Sequence, residues 1–286
     1  MRPIPHGKGM FIWQVDDKTR IAAPAVAAQQ AKDAGIQHVE IKAQSGYKDF
    51  NTKRLGEYVQ AFEDQDIEVW LWGYLVGADW RGVTQAKMEA MKTVELCMAL
   101  SPAGWIIDGE AEYKRKGMAD NATIYMTHLR TAMPALSVGL CSYRYPSSHP
   151  EFPFRAFLGG TTGCDFHMPQ VYWAEAHNPA QQLVRSCGEL KALADIPIIP
   201  VGAAYTEFGW TPTIQEQTEF FEQAKHLNLP AVSWWEWYFA TIRRPHFWPH
   251  LAAMEWSYVP PPPPPPTTEQ LVARLVEQAK LHGWEV

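Results

Sequence analysis

Trp105-Ile106-Ile107-Asp108-Gly109-Glu110-Ala111-Glu112 reads as a short buried strand that runs straight into three carboxylates. Side chains alternate faces along a strand, so Asp108, Glu110 and Glu112 are predicted to gather on one side of its end. Like charges held this close repel, which raises the proton affinity of at least one carboxyl and can keep it protonated near neutral pH. A general acid needs that property. The competing reading is a solvated acidic turn whose charges are paired by Lys114, Arg115 and Lys116 just beyond it.

Working outward from this strand, the same unit repeats in both directions. Strand-like runs fall at residues 10–13, 38–42, 68–74, 105–108, 137–142, 166–172, 198–202 and 231–235. Between them lie helix-like stretches at 22–34, 55–65, 85–100, 121–132, 181–194 and 214–226, and a crossover of poor helical character through 152–158. Gly35 ends the first of these helices. Eight strands in alternation with helices within about 250 residues predict an α/β fold of the (β/α)8 barrel type. A doubly wound open sheet is the alternative, but no G-x-G-x-x-G follows any early strand.

The chain has 286 residues and is 47% hydrophobic, enough for one large core without covalent staples. The barrel domain is expected over residues 1–259. Residues 260–266 are a proline run, a stiff polyproline II spacer. Within 267–286, Leu271, Leu275, Val276, Ala279 and Leu281 recur at helical spacing, which predicts a short amphipathic helix or a frayed tail. Such a helix is marginal alone, so it would dock on the barrel, meet a partner or self-associate. Cys97, Cys141, Cys164 and Cys187 are far apart and read as buried thiols. A net charge of −6 argues against a nucleic-acid partner. There is no apolar signal core and no stretch of bilayer length, so neither export nor membrane insertion is expected. This would suit a lysin-like protein, cytoplasmic until released or carried on a virion.

In a barrel of this type the chemistry collects at the C-terminal ends of the strands. The polar and aromatic residues there are Gln14 and Asp16, Lys42 and Gln44, Tyr74, then Asp108, Glu110 and Glu112. The later strands add Tyr143 and Arg144, Gln170, Tyr172 and Glu175, Tyr205 and Glu207, and Trp235 and Glu236. Carboxylates, amides and aromatic rings on one rim suit a carbohydrate, whose hydroxyls take hydrogen bonds and whose C–H faces pack on rings. Of Trp70, Trp72, Trp105, Trp234, Trp235 and Trp237, alternation sends about half inward. His246 and His250 have a four-residue spacing, but Pro249 interrupts them and no H-E-x-x-H is present, so neither metal nor other cofactor is expected. Lys42 is read as a buried lysine paired with a carboxylate, a Schiff-base role being the rarer use.

Two family resemblances follow from these residues. His38-Val39-Glu40-Ile41-Lys42-Ala43-Gln44-Ser45-Gly46 resembles the second-strand V-x-I-K-A-T-x-G pattern of family 25 glycoside hydrolases, the Chalaropsis-type lysozymes that cleave peptidoglycan. Ile107-Asp108-Gly109-Glu110 is similar to their fourth-strand D-x-E, which implies Glu110 as general acid with Asp108 assisting. The sequence departs from that family at strand one, where Phe11-Ile12-Trp13-Gln14-Val15-Asp16-Asp17 offers Gln14 or Asp16 in place of its aspartate. Asp108-x-Glu110-x-Glu112 also resembles the D-x-D-x-E of family 18 chitinases, as do Met168-Pro169-Gln170-Val171-Tyr172 and Val232-Ser233-Trp234-Trp235. That alignment makes Glu112 the acid. Both imply retaining or substrate-assisted cleavage of an N-acetylhexosamine polymer. The rival expectation is a non-catalytic, glycan-binding or structural barrel of a larger particle.

Overall fold

The structure, a computed structural model, describes residues 2–258 together with Val272 and Val276. The expected proline run, and the tail helix apart from those two valines, lie outside the described residues. In chain order the elements are β1 (Gly7–Ile12), α1 (Pro24–Asp33), β2 (His38–Ser45), β3 (Lys48–Asp49), α2 (Leu55–Glu63) and β4 (Glu68–Leu75). They continue as α3 (Ala86–Leu100), β5 (Gly104–Gly109), α4 (Met118–Ala132), β6 (Val138–Tyr143), α5 (Phe154–Leu158) and β7 (Phe166–Gln170). The last are α6 (Pro179–Lys191), β8 (Val201–Ala203), α7 (Ile214–His226), β9 (Ala231–Trp235) and α8 (Phe247–Ala253). Hydrogen bonding runs β1-β2-β4-β5-β6-β7-β8-β9, all parallel, and β9 returns to β1, which closes an eight-stranded (β/α)8 barrel. β3 is a two-residue antiparallel flap on the end of β2. Among the described residues no helix is long and apolar enough to cross a membrane.

Local signals explain the boundaries. Gly35, with φ +65, takes the left-handed turn after α1. Thr213 and Glu216 form a reciprocal capping box that starts α7. The weak crossover condenses into five residues, α5. The strand expected at 198–202 pairs later and more briefly: Ile198 makes only an isolated bridge to His167, and β8 begins at Val201. Pro197 and Pro200 lack the N–H a continuous ladder needs.

The barrel interior is stacked in layers. At the N-terminal end, Trp70 and Phe166 meet edge to face with centroids 5.3 Å apart, and Gly104 and Gly139 make room for them. A Cβ on Gly104 would lie 2.2 Å from the Trp70 ring and 2.7 Å from the Ser137 carbonyl oxygen. The middle layer combines Phe11, Trp72, Ile106, Cys141, Met168 and Val201 with a buried polar trio. In that trio Ser233 Oγ donates to Glu40 Oε2 at 2.8 Å, and His38 Nε2 lies 3.1 Å from Glu40 Oε1. Burial opposes a charge on His38, but Glu40 outweighs it and raises the imidazole pKa. Trp105, Trp234 and Trp237 belong instead to the outer core between strands and helices. The third layer, at the C-terminal mouth, is where polar residues take over.

Candidate active site

A cavity of about 620 Å³ opens at this mouth. Its lining carries Lys42, Asp108, Glu110 and Gln170 among the rings of Phe11, Trp13, Trp72, Tyr74, Tyr172, Tyr205, Trp235 and Phe239. The inward face of β5 brings Ile106, then Asp108, then Glu110 just past the strand end, while the facing β7 brings Gln170. Gln170 Nε2 donates to Glu110 Oε1 at 2.8 Å and reaches Asp108 Oδ1 at 3.4 Å, so one amide ties the two carboxyls together. Asp108 is buried and Glu110 half-buried. Burial, and then the neighbouring Glu110 carboxylate, raise the Asp108 pKa well above the ordinary carboxylate range. Lys42 extends from β2 with its ammonium 4.7 Å from the centroids of the Trp72 and Phe50 rings. Its own pKa is lowered by burial, against the pull of Asp108 and Glu110.

Glu112 stands apart from this pair. β5 ends at Gly109 and the chain enters a 3-10 turn at Ala111–Lys114, so strand alternation does not extend to residue 112. Its carboxylate instead accepts a short hydrogen bond from the Tyr74 hydroxyl. Burial and Glu112 both push the Tyr74 pKa upward, which keeps that hydroxyl a donor. Tyr143 leans away from the acids, with its ring centroid 3.9 Å from that of His149 and 4.1 Å from the Lys114 ammonium.

Glu207 also lines the cavity, whereas Gln14, Asp16 and Glu236 are not brought to it. Asp16 accepts hydrogen bonds from the backbone N–H groups of Lys53 and Arg54, so it fastens the loop that starts α2. Gln14 and Glu236 share a separate small hollow with Arg20, Trp237 and Tyr238. Phe11 and Trp13 at the end of β1 and Trp235 at the end of β9 line the cavity, while the adjoining Gln14 and Glu236 line the other hollow. Glu236 is buried, its pKa is pushed up to about 7 by that burial, and the Tyr238 N–H donates to it at 3.4 Å. His250 Nε2 is engaged by Thr218 Oγ1 at 3.2 Å, while the His246 ring packs on Phe247. Sequence reasoning passed over Trp13, Trp72, Cys141, Thr206 and Phe239 as lining residues. Parity with Phe11 and Tyr74 could have found Trp13 and Trp72. Phe239 lies on a helical turn after β9 and carried no such signal.

No family model matches the sequence, and no curated protein is similar to it in sequence. Solved structures do resemble it. A chitinase from Chromobacterium violaceum superposes with a TM-score of 0.61 at 10% identity, covering 86% of this chain and 98% of that one. An endo-1,4-beta-D-mannanase from Thermotoga petrophila gives 0.59 at 10% identity, covering 81% and 88%. The spore cortex-lytic enzyme SleL of Bacillus megaterium gives 0.58 at 10% identity, covering 86% and 73%. The likeness is one of fold, the (β/α)8 barrel. In the barrel described here, the acidic pair occupies the C-terminal mouth where that fold assembles catalytic groups.

Proposed function

We propose that this barrel is a glycoside hydrolase that cleaves an N-acetylhexosamine-containing polymer of the peptidoglycan class, with Glu110 as general acid and Asp108 as its partner. The observation that carries the reading is the Asp108–Glu110 pair, bridged by Gln170 inside an aromatic cavity. The structural neighbours named as a chitinase, a mannanase and a cortex-lytic enzyme support it, as does the resemblance to the family 25 strand motifs.

The chemistry follows from where the proton sits. Asp108, deep and beside another carboxylate, has its proton affinity raised well above the ordinary carboxylate range and shares a proton with Glu110 through a hydrogen bond. Glu110, the half-buried member, passes that proton to the glycosidic oxygen as its bond to the anomeric carbon breaks. Asp108 is left as a carboxylate and steadies the acetamido group, whose oxygen attacks the anomeric carbon. Water then opens this intermediate from the face the leaving group vacated. It gives a proton back to the pair, and configuration is retained. Trp235, partly exposed and backed edge to face at 5.7 Å by the buried Trp72, offers the apolar wall on which a sugar ring packs.

A non-catalytic glycan-binding barrel is favoured by one observation: β1 contributes Phe11 and Trp13 to the cavity and no carboxylate. Incubation of the purified protein with peptidoglycan and with chitin oligomers, followed by reducing-end assay, separates the two. Release of new reducing ends is expected. Binding without release would establish the non-catalytic reading.

A further inference from the structure

Trp80 and Phe208 are the most exposed aromatic side chains among the described residues, at 83% and 95%. Every other described Phe, Tyr or Trp is less than half exposed. A single exposed ring is common on a protein surface, but these two share a placement. Trp80 lies in the loop that follows β4 and Phe208 in the loop that follows β8, both at the C-terminal mouth. Around the ring, β5, β6 and β7 separate those strands on one side and β9, β1 and β2 on the other, so the two loops face each other across the mouth. The cavity lies between them: Tyr74 of β4 and Thr206 and Glu207 just after β8 line it together with Asp108 and Glu110.

Both rings stand on fastened loops. Arg115, just past the 3-10 turn after β5, donates from its guanidinium to the carbonyl oxygens of Val76 at 2.9 Å, Ala78 at 2.8 Å and Asp79 at 3.0 Å. Asp79 Oδ1 accepts from the N–H groups of Arg81 and Val83, and Ala78 pairs with Thr84, so Trp80 sits on a closed finger. Phe208 and Gly209 form the tip of a hairpin closed by reciprocal backbone hydrogen bonds between Glu207 and Trp210. Beneath that tip Trp210 is buried against Tyr205 and Trp173. Phe208 itself has φ +45, a left-handed conformation that asparagine, aspartate and glycine favour. The hairpin therefore carries local strain where its phenylalanine ring packs least, and strain kept at such a site is a mark of function.

We propose that Trp80 and Phe208 are the outer platforms of a cleft that holds a linear glycan across the mouth, from the β4 side to the β8 side, with an internal glycosidic bond over the acid pair. The inference rests on the glycosidase reading above and deepens it. Each ring offers a flat apolar face to the C–H face of a sugar, outside the cavity that takes the ring being cut. A chain held on both sides of the acids is cleaved internally, and a chain too short to leave the cavity gains nothing from either ring.

The test is calorimetric titration of the full-length protein with chitobiose and with a long soluble chitin oligomer, beside the product sizes released from that oligomer. The parent should bind the long chain more tightly than the disaccharide and release a spread of internal fragments. Trp80→Ala and Phe208→Asn should each weaken long-chain binding by about tenfold, the worth of one aromatic contact, and leave chitobiose affinity unchanged. Phe208→Asn also relieves the strained turn, so its melting temperature should hold or rise, which a structural role for the ring would not allow. Unchanged long-chain affinity in both variants, an equal loss for both ligands, or products trimmed only from the chain end would overturn the cleft while leaving the glycosidase reading standing. Long-chain binding with the expected losses but no cleavage would overturn the glycosidase reading and leave the platforms as a glycan-binding surface. If the parent binds neither ligand, both readings fail.

Discussion

Asp108 and Glu110 differ in depth, and depth divides the labour between them. The deeper carboxyl, whose proton affinity is raised, supplies the proton that the shallower one delivers, so Asp108→Asn and Glu110→Gln should both be severe while Glu112→Gln, outside the cavity lining, should be mild. Steady-state rates on one oligomer check the order. A dead Glu112→Gln beside an active Glu110→Gln would transfer the acid to residue 112. The rate should also fall toward alkaline pH, because the pair works only while it holds a proton. Another buried carboxyl, Glu89 of α3, is remote from that chemistry: its oxygens accept from the N–H groups of Val76 and Gly77, and burial lifts its pKa from 4.5 to about 7. A folded-state pKa above the unfolded one gives stability that is present below pH 4.5 and lost as pH rises through about 7. Glu89→Gln should therefore gain on the parent by about 3 kcal/mol between pH 5 and pH 8 in urea unfolding. A pH-independent difference would contradict the assignment. Asp108 and Glu110 could be read from strand parity. Glu112 could not, since parity says nothing of where the strand stops and the turn begins.

Elements were legible wherever hydrophobic period and punctuation agreed. The expected strands and helices reappear with shifted ends, from β1 through α7. What failed to show was local: the prolines that shorten β8, and the helical turn Phe239–Arg243 that sends Phe239 into the cavity. The barrel wall also depends on residues whose importance is invisible in composition. Gly104 on β5 stands against the fully buried Trp70 ring and a backbone carbonyl, neither of which can give way. Gly104→Ala should cost about 1–3 kcal/mol through overpacking. Gly188 is exposed on α6, where an added methyl would meet nothing within 4 Å, and should respond in the opposite sense. Gly188→Ala should gain about 0.5–1 kcal/mol from helix propensity. Thermal denaturation of the two variants tests this, and equal shifts would contradict the packing account.

At the scale of the molecule, the ring of eight strands closes between β1 and β9 within the described residues, which is why the segment beyond residue 258 is not required for closure. A chain ending at Tyr258 should unfold in one cooperative transition. Aggregation of that shortened chain would show that the tail contributes to the core. The mechanism calls on carboxyl groups alone, so dialysis against EDTA should leave turnover unchanged, and a loss restored by zinc would contradict it. All of this converges on one comparison, the rate of reducing-end release from peptidoglycan by the parent protein and by Glu110→Gln. The account predicts measurable release by the parent and a fall of about two to four orders of magnitude in the variant, with binding retained. Equal rates in the two proteins, or no release by either, would contradict it.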